Sequence, residues 1–119
     1  MQRDRLLLAE IIDAAERVVD LTATRSAEEL DVDRDRRDAL HWNFTVLGEA
    51  IAQLSDEIRG SHPEVPWRDP VRLRNRIVHG YWSVDVEVLV ATARDDLPEF
   101  LARVRAVAAS IDEIDHDRT

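Results

Sequence analysis

The stretch 74–81 holds, within two helical turns, the kinds of side chain that phosphate chemistry uses. Arg74 supplies a fixed cation, and His79 supplies an imidazole five residues later, with Asn75 and Tyr81 beside them. A guanidinium can stabilise the charge that develops on a phosphorane, and an imidazole can give or take a proton near neutral pH. The spacing therefore predicts a site for phosphodiester chemistry.

A helical wheel at about 100° per residue puts four polar side chains of this segment on one arc. They are Arg72, Asn75, Arg76 and His79. Asn75 precedes His79 by four residues, so its amide can orient the imidazole or a bound phosphate. His79 falls in the last turn, where the negative end of the helix dipole favours the protonated ring. We predict that His79 acts as a general acid or base.

Arg74 does not join that arc, because the wheel places it in the apolar sector between Ile77 and Val78. An arginine among apolar neighbours costs desolvation unless a partner compensates it. One explanation is an ion pair with Glu49 of the preceding long helix. The other is a guanidinium held at the mouth of a cleft, where its planar fork binds phosphate. The sequence leaves both open.

The charge of the chain is unevenly distributed. The formal net charge is −9, yet four arginines against one aspartate give residues 67–82 a charge of +3, which leaves −12 for the rest. A basic island on an acidic body can receive one phosphate-bearing ligand and still repel polyanions elsewhere. The 119 residues contain no cysteine, which excludes disulfides and thiolate chemistry. We expect one domain over residues 1–119, without a signal peptide or membrane span, in the cytoplasm.

Hydrophobic spacing predicts an all-α protein, an antiparallel helical bundle of four main helices. The second is expected from about Asp35 to Ile58 and to end at Gly60, and the third from about Asp69 to His79, with Gly80 as a left-handed cap. The fourth is expected to begin after Asp85 and continue to about residue 114, with a kink near Pro98 and a polar tail from about residue 112.

The first helix carries two neighbouring apolar stripes. One contains Leu7 and Ile11, and the other contains Leu8 and Ile12. Two stripes exceed what one bundle face requires, so the helix is either central or in contact with a second protomer. A two-fold dimer would supply two histidines to one site, which cleavage by a 2′-hydroxyl can use as base and acid.

These residues resemble the HepT-like proteins of the HEPN group of helical nucleases. Arg74, four intervening residues, His79, one residue and Tyr81 match the arginine-x4-histidine-x-tyrosine signature of that family. The resemblance extends over residues 35–101 and includes Leu47-Gly48-Glu49-Ala50, Trp67 before the motif, Gly80-Tyr81 and Leu97-Pro98.

The resemblance implies a metal-independent endoribonuclease without a cofactor, the toxin of a type VII-like toxin–antitoxin pair that cleaves tRNA or mRNA. It implies a homodimer with a composite site, and an MNT-type nucleotidyltransferase antitoxin that attaches AMP to Tyr81. Arg74 and His79 would be catalytic, with Asn75 in support. We expect Arg72 and Arg76 to bind RNA, although Arg72 could instead pair with nearby acids. The alternative function is a non-catalytic helical partner or scaffold of a nucleotidyltransferase.

Overall fold

The fold is built from helices that pack around a central one. The computed structural model describes residues 2–80 and 84–117, with side chains described up to residue 113. These ranges contain seven helices and no strand, which confirms the all-α class. The helices are α1 (Gln2–Thr22), α2 (Ala27–Val32), α3 (Arg34–Gln53), α4 (Asp56–Ser61), α5 (Arg68–His79), α6 (Val86–Asp95) and α7 (Leu97–Asp117).

Helix α1 lies in the middle of the bundle and packs against α3, α6 and α7. Its two apolar stripes both contribute to the core. Ile11 and Val18 of the first stripe are fully buried, and so are Leu8 and Ala15 of the second. The central position therefore accounts for the second stripe, and contact with a second protomer is not needed to explain it.

Polar contacts at the N-terminal end of α1 show the direction of its neighbours. The buried Asp4 carboxylate, in the first turn of α1, accepts hydrogen bonds from the Ser55 backbone N–H at 3.0 Å and the Ser55 hydroxyl at 2.7 Å, just beyond the end of α3. Arg5 pairs with Asp112 near the end of α7 at 3.2 Å. Helices α3 and α7 are therefore both antiparallel to α1, as predicted for the bundle.

The predicted second helix is wrong in its bounds, because α3 ends at Gln53. Leu54 has an extended backbone with ψ of 148°, and the Ser55 hydroxyl then accepts a hydrogen bond from the Ile58 N–H at 3.2 Å and caps α4. A serine cap and its bond to Asp4 start a new helix where the apolar spacing continued unbroken. Gly60 lies inside α4 and does not end it.

The predicted fourth helix is interrupted near the expected kink. Helix α6 begins after Asp85, whose side chain makes no capping bond, and ends at Asp95. After Asp96, α7 begins at Leu97, so Pro98 is its second residue and its missing N–H falls in the first turn, where no intrahelical bond is required. Helix α7 then continues to Asp117, through the segment predicted as a polar tail.

Gly80 ends α5 but not in the predicted conformation. Its φ is −155°, outside the left-handed region, and its N–H donates to the Arg76 carbonyl at 2.9 Å. The prediction of a left-handed cap is therefore wrong, although the predicted helix end is correct. No helix in the part of the chain that the structure describes is long and apolar enough to cross a membrane.

Candidate nucleic-acid interface on helix α5

A close crossing of α5 over α3 positions the predicted site. The crossing point is Gly48, where an added Cβ would lie 2.3 Å from the Arg74 Cβ and 2.7 Å from the Pro70 carbonyl oxygen. Real Cβ atoms do not approach other atoms so closely, so only glycine allows this separation of the two backbones. Ile77, 4% exposed, anchors the same side of α5 in the core.

The crossing brings Arg74 to the next residue of α3, Glu49. The Arg74 Nη2 lies 2.8 Å from the Glu49 Oε2, which is the ion pair that was one of the two explanations for Arg74. The pair is not deeply buried, because the arginine side chain is 29% exposed and the glutamate side chain 47%. Ion pairs with this much exposure contribute little to stability, typically about 0–1 kcal/mol.

Asn75 holds the same guanidinium from the other side. The Arg74 Nη1 donates a hydrogen bond to the Asn75 Oδ1 at 2.7 Å. The Arg74 Nε is buried and has no hydrogen-bond partner among the described residues. The guanidinium is thus fixed in orientation by two partners, at the edge of the α3–α5 contact, and its buried Nε is unsatisfied among the described residues. Buried unsatisfied donors are rare, and functional sites are one place where they occur.

The polar arc predicted for α5 is exposed along its whole length. Arg72, Asn75, Arg76 and His79 are all exposed to solvent. Arg68 is exposed too and falls within the same arc of the wheel, about 40° from Arg72. The arc is therefore a basic ridge that begins at the first residue of α5 and ends at His79.

Sequence reasoning placed most of these groups but missed two residues. Gly48 entered only as part of a family string, although a glycine inside a long helix is itself a signal of close backbone approach. Arg68 was counted in the charge and not assigned to the arc, although it precedes Arg72 by four residues. Tyr81, the predicted AMP acceptor, lies outside the described residues.

Metal ligands do not cluster in the described part of the site. Among the side chains that the structure describes, no group of three or more histidines, aspartates and glutamates is placed to hold a metal ion. What the arrangement provides is a fixed guanidinium, an exposed imidazole and a row of cations on one helix. This combination suits a phosphodiester ligand.

Comparisons with known proteins agree with this chemistry. Residues 11–107 match the family model described as Ribonuclease HepT-like. A relative from Thermococcus cleftensis named probable ribonuclease HepT is 32% identical over 76% of this chain and 83% of its own length.

More distant relatives cover nearly the whole chain. A protein of Methanocaldococcus jannaschii named putative RNase is 23% identical over 95% of this chain and 93% of its own length. A putative RNase of Caldanaerobacter subterraneus is 25% identical over 90% of this chain and 96% of its own length. No solved structure matches the chain significantly. The family match and the relatives together place this chain in the HepT-like ribonuclease family of the HEPN group.

Proposed function

We propose that this protein is an endoribonuclease that cleaves tRNA or mRNA without a metal ion, with Arg74 and His79 as catalytic residues. The supporting observation is the geometry of α5, in which an exposed basic ridge ends at His79 and Arg74 is held by Glu49 and Asn75 at the α3 crossing. The printed names of the relatives, ribonuclease and putative RNase, support the same activity.

In the proposed reaction the ribose 2′-hydroxyl attacks the adjacent phosphorus. Its proton passes to an imidazole, a new bond forms between the 2′-oxygen and phosphorus, and the bond from phosphorus to the 5′-oxygen breaks. The leaving 5′-oxygen takes a proton from an acid, which yields a 2′,3′-cyclic phosphate and a 5′-hydroxyl. His79 carries the proton, the Arg74 guanidinium stabilises the charge on the phosphorane, and Asn75 keeps that guanidinium oriented.

One histidine in each copy of the site supplies only one of the two proton carriers, so we propose a homodimer with a composite site. Two exposed apolar side chains support a contact here. Val78, adjacent to His79, is 51% exposed, and Trp42 of α3 is 66% exposed. Trp42 lies about 20° from Glu49 on the α3 wheel, on the side that carries the ion pair with Arg74. Burial of such side chains drives association.

We further propose that the protein is the toxin of a type VII-like toxin–antitoxin pair, with an MNT-type nucleotidyltransferase as antitoxin. The motif tyrosine, Tyr81, would accept AMP from this partner. An AMP group so close to His79 would place a phosphate where the RNA phosphate has to bind, and the two negative charges would repel each other.

The test of the activity uses purified protein and RNA in the presence of EDTA. The proposal predicts cleavage with 2′,3′-cyclic phosphate ends, and a requirement for Mg²⁺ would contradict it. The test of the regulation is the intact mass after co-expression with the nucleotidyltransferase. We expect an AMP adduct that disappears in Tyr81→Phe. An unmodified mass for the wild-type protein would rule out regulation by AMP attachment.

The second candidate function is a non-catalytic scaffold for the nucleotidyltransferase. The ion pair between Arg74 and Glu49 favours it, because a guanidinium already paired at 2.8 Å is less available to a phosphate. A scaffold would bind the nucleotidyltransferase equally well in wild type and in His79→Ala, and neither form would cleave RNA. The cleavage assay separates the two functions.

A further inference from the structure

A groove lies beside the start of the basic ridge, between α4 and the first turn of α5. Its volume is about 760 Å³. The turns between these helices form an apolar floor with Pro63, Val65 and Pro66, of which the two prolines are exposed, and Arg68 and Arg72 of α5 line one side. Grooves of this size and mixed character are typical of small-ligand and nucleotide sites.

The charge of the groove is positive in an otherwise acidic chain. Three arginines, the third being Arg59, line it against Asp56 and Asp69. Asp56 is already compensated, because its carboxylate accepts a hydrogen bond from Arg59 at 2.8 Å. Arg68 and Arg72 are both exposed, so their guanidinium groups are accessible to an anionic ligand.

We propose that this groove binds the single-stranded RNA that flanks the bond cut at His79. The inference rests on the proposed function and adds to it the path of the substrate. Arg68 and Arg72 connect the two places, because both belong to the ridge that ends at His79 and both line the groove. From Arg68 to His79 the helix rises about 16 Å, which an extended strand covers with a few nucleotides.

The apolar floor selects a single strand over a duplex. In a duplex the flat faces of the bases are stacked on one another, and only phosphates, sugars and base edges reach a protein. A single strand can place bases and riboses on the exposed Pro63 and Pro66 while its phosphates meet the arginines. A site for duplex RNA would need the arginines and not the floor.

Gly60 offers a direct way to test the groove, because it lines the groove and an added Cβ there would meet no atom within 4 Å. Its backbone is helical and no described glycine has a positive φ, so larger residues fit without strain. The variants Gly60→Arg, Gly60→Gln and Gly60→Glu place a positive, a neutral and a negative side chain at one position, and Gln and Glu match in length. All three residues form helices more readily than glycine.

The experiment measures the affinity of each variant for a single-stranded RNA oligonucleotide by fluorescence anisotropy, in a His79→Ala background that prevents cleavage. We expect the affinity to fall in the order Arg, Gln, Glu, by about two- to fivefold per unit charge, and the differences to shrink at high salt. The same three substitutions at Ala109, an exposed position on α7, are the matched control and should give a smaller spread.

RNA cleavage by the Gly60 variants that keep His79 provides the second measurement. The Gly60 series should change kcat/KM for an RNA long enough to extend from His79 to the groove, and should not change it for an RNA that is too short. If the wild-type protein cleaves RNA but the three Gly60 variants have equal RNA affinity and equal kcat/KM, the groove does not bind RNA and the nuclease function still stands. Charge-dependent binding without any cleavage would support the groove and refute the nuclease function. An equal effect of the series on duplex RNA would overturn the preference for single strands.

Discussion

The substitution Gly48→Ala tests how the α3–α5 crossing positions the site. The new methyl would lie 2.3 Å from the Arg74 Cβ, whereas carbon atoms pack at about 3.5 Å or more, so α5 must retreat by about 1.2 Å. Overpacking of this kind destabilises a protein by about 1–3 kcal/mol, and replacing glycine by alanine inside a helix stabilises it by about 1 kcal/mol. The net loss of unfolding free energy is therefore about 0–2 kcal/mol.

The effect on activity should be larger than the effect on stability. The same retreat would lengthen the 2.8 Å contact between Arg74 and Glu49 to about 4 Å and remove it as a hydrogen bond. A misplacement of about 1 Å in a catalytic group can reduce a rate on the order of 100-fold. We therefore expect a folded variant with somewhat lower stability and a cleavage rate reduced on the order of 100-fold.

Two assays measure these effects separately. Urea unfolding followed by far-UV circular dichroism gives the stability, and the initial rate of RNA cleavage gives the activity. Gly60→Ala is the matched control for stability, because its Cβ meets nothing within 4 Å, and it should be as stable as wild type or up to about 1 kcal/mol more stable. If Gly48→Ala keeps both wild-type stability and wild-type rate, the close crossing does not position the site.

Three further predictions concern single contacts. Glu49→Gln should lower the unfolding free energy by no more than about 1 kcal/mol, because the ion pair it removes is partly exposed; a loss of several kcal/mol in urea unfolding would contradict this. Asp4→Ala should cost about 1–3 kcal/mol in the same assay, because it leaves the Ser55 N–H and hydroxyl without their buried acceptor, and a neutral result would mean that water replaces it. Arg72→Gln should reduce the slope of log affinity for single-stranded RNA against log salt by about 0.7, whereas Arg17→Gln, which removes an exposed arginine paired with an aspartate on α1, should not change it.

The sequence predicted the fold class and the side of α5 that each polar residue occupies. Those features depend on helical periodicity, which the spacing of apolar residues records directly. The break at Asp96 falls at the predicted kink, but the break at Leu54 was not predicted. At Leu54 the apolar spacing continues through the break, and the new helix depends on Ser55 and its bonds to Asp4, about fifty residues away in the chain. Such a tertiary contact leaves no local pattern.

The sequence predicted which residues form the candidate site but not every contact between them. Glu49 was named as one possible partner of Arg74, and the structure contains that pair. The bond from Arg74 to Asn75 was not predicted, because adjacent residues point in different directions on a helix and only long side chains can reach across. The groove near Gly60 was not predicted either, since it depends on how α4 and α5 lie around the turns that connect them.

Cleavage of RNA by His79→Ala, compared with wild type in EDTA, tests the central claim most directly. His62→Ala is a matched control, because it removes a partly exposed imidazole outside the ridge, one that pairs with Glu64 at 3.2 Å. We predict that wild type and His62→Ala cleave RNA at similar rates and that His79→Ala is folded but inactive. Cleavage by folded His79→Ala at the wild-type rate would contradict the account, and so would an absence of cleavage by the wild-type protein.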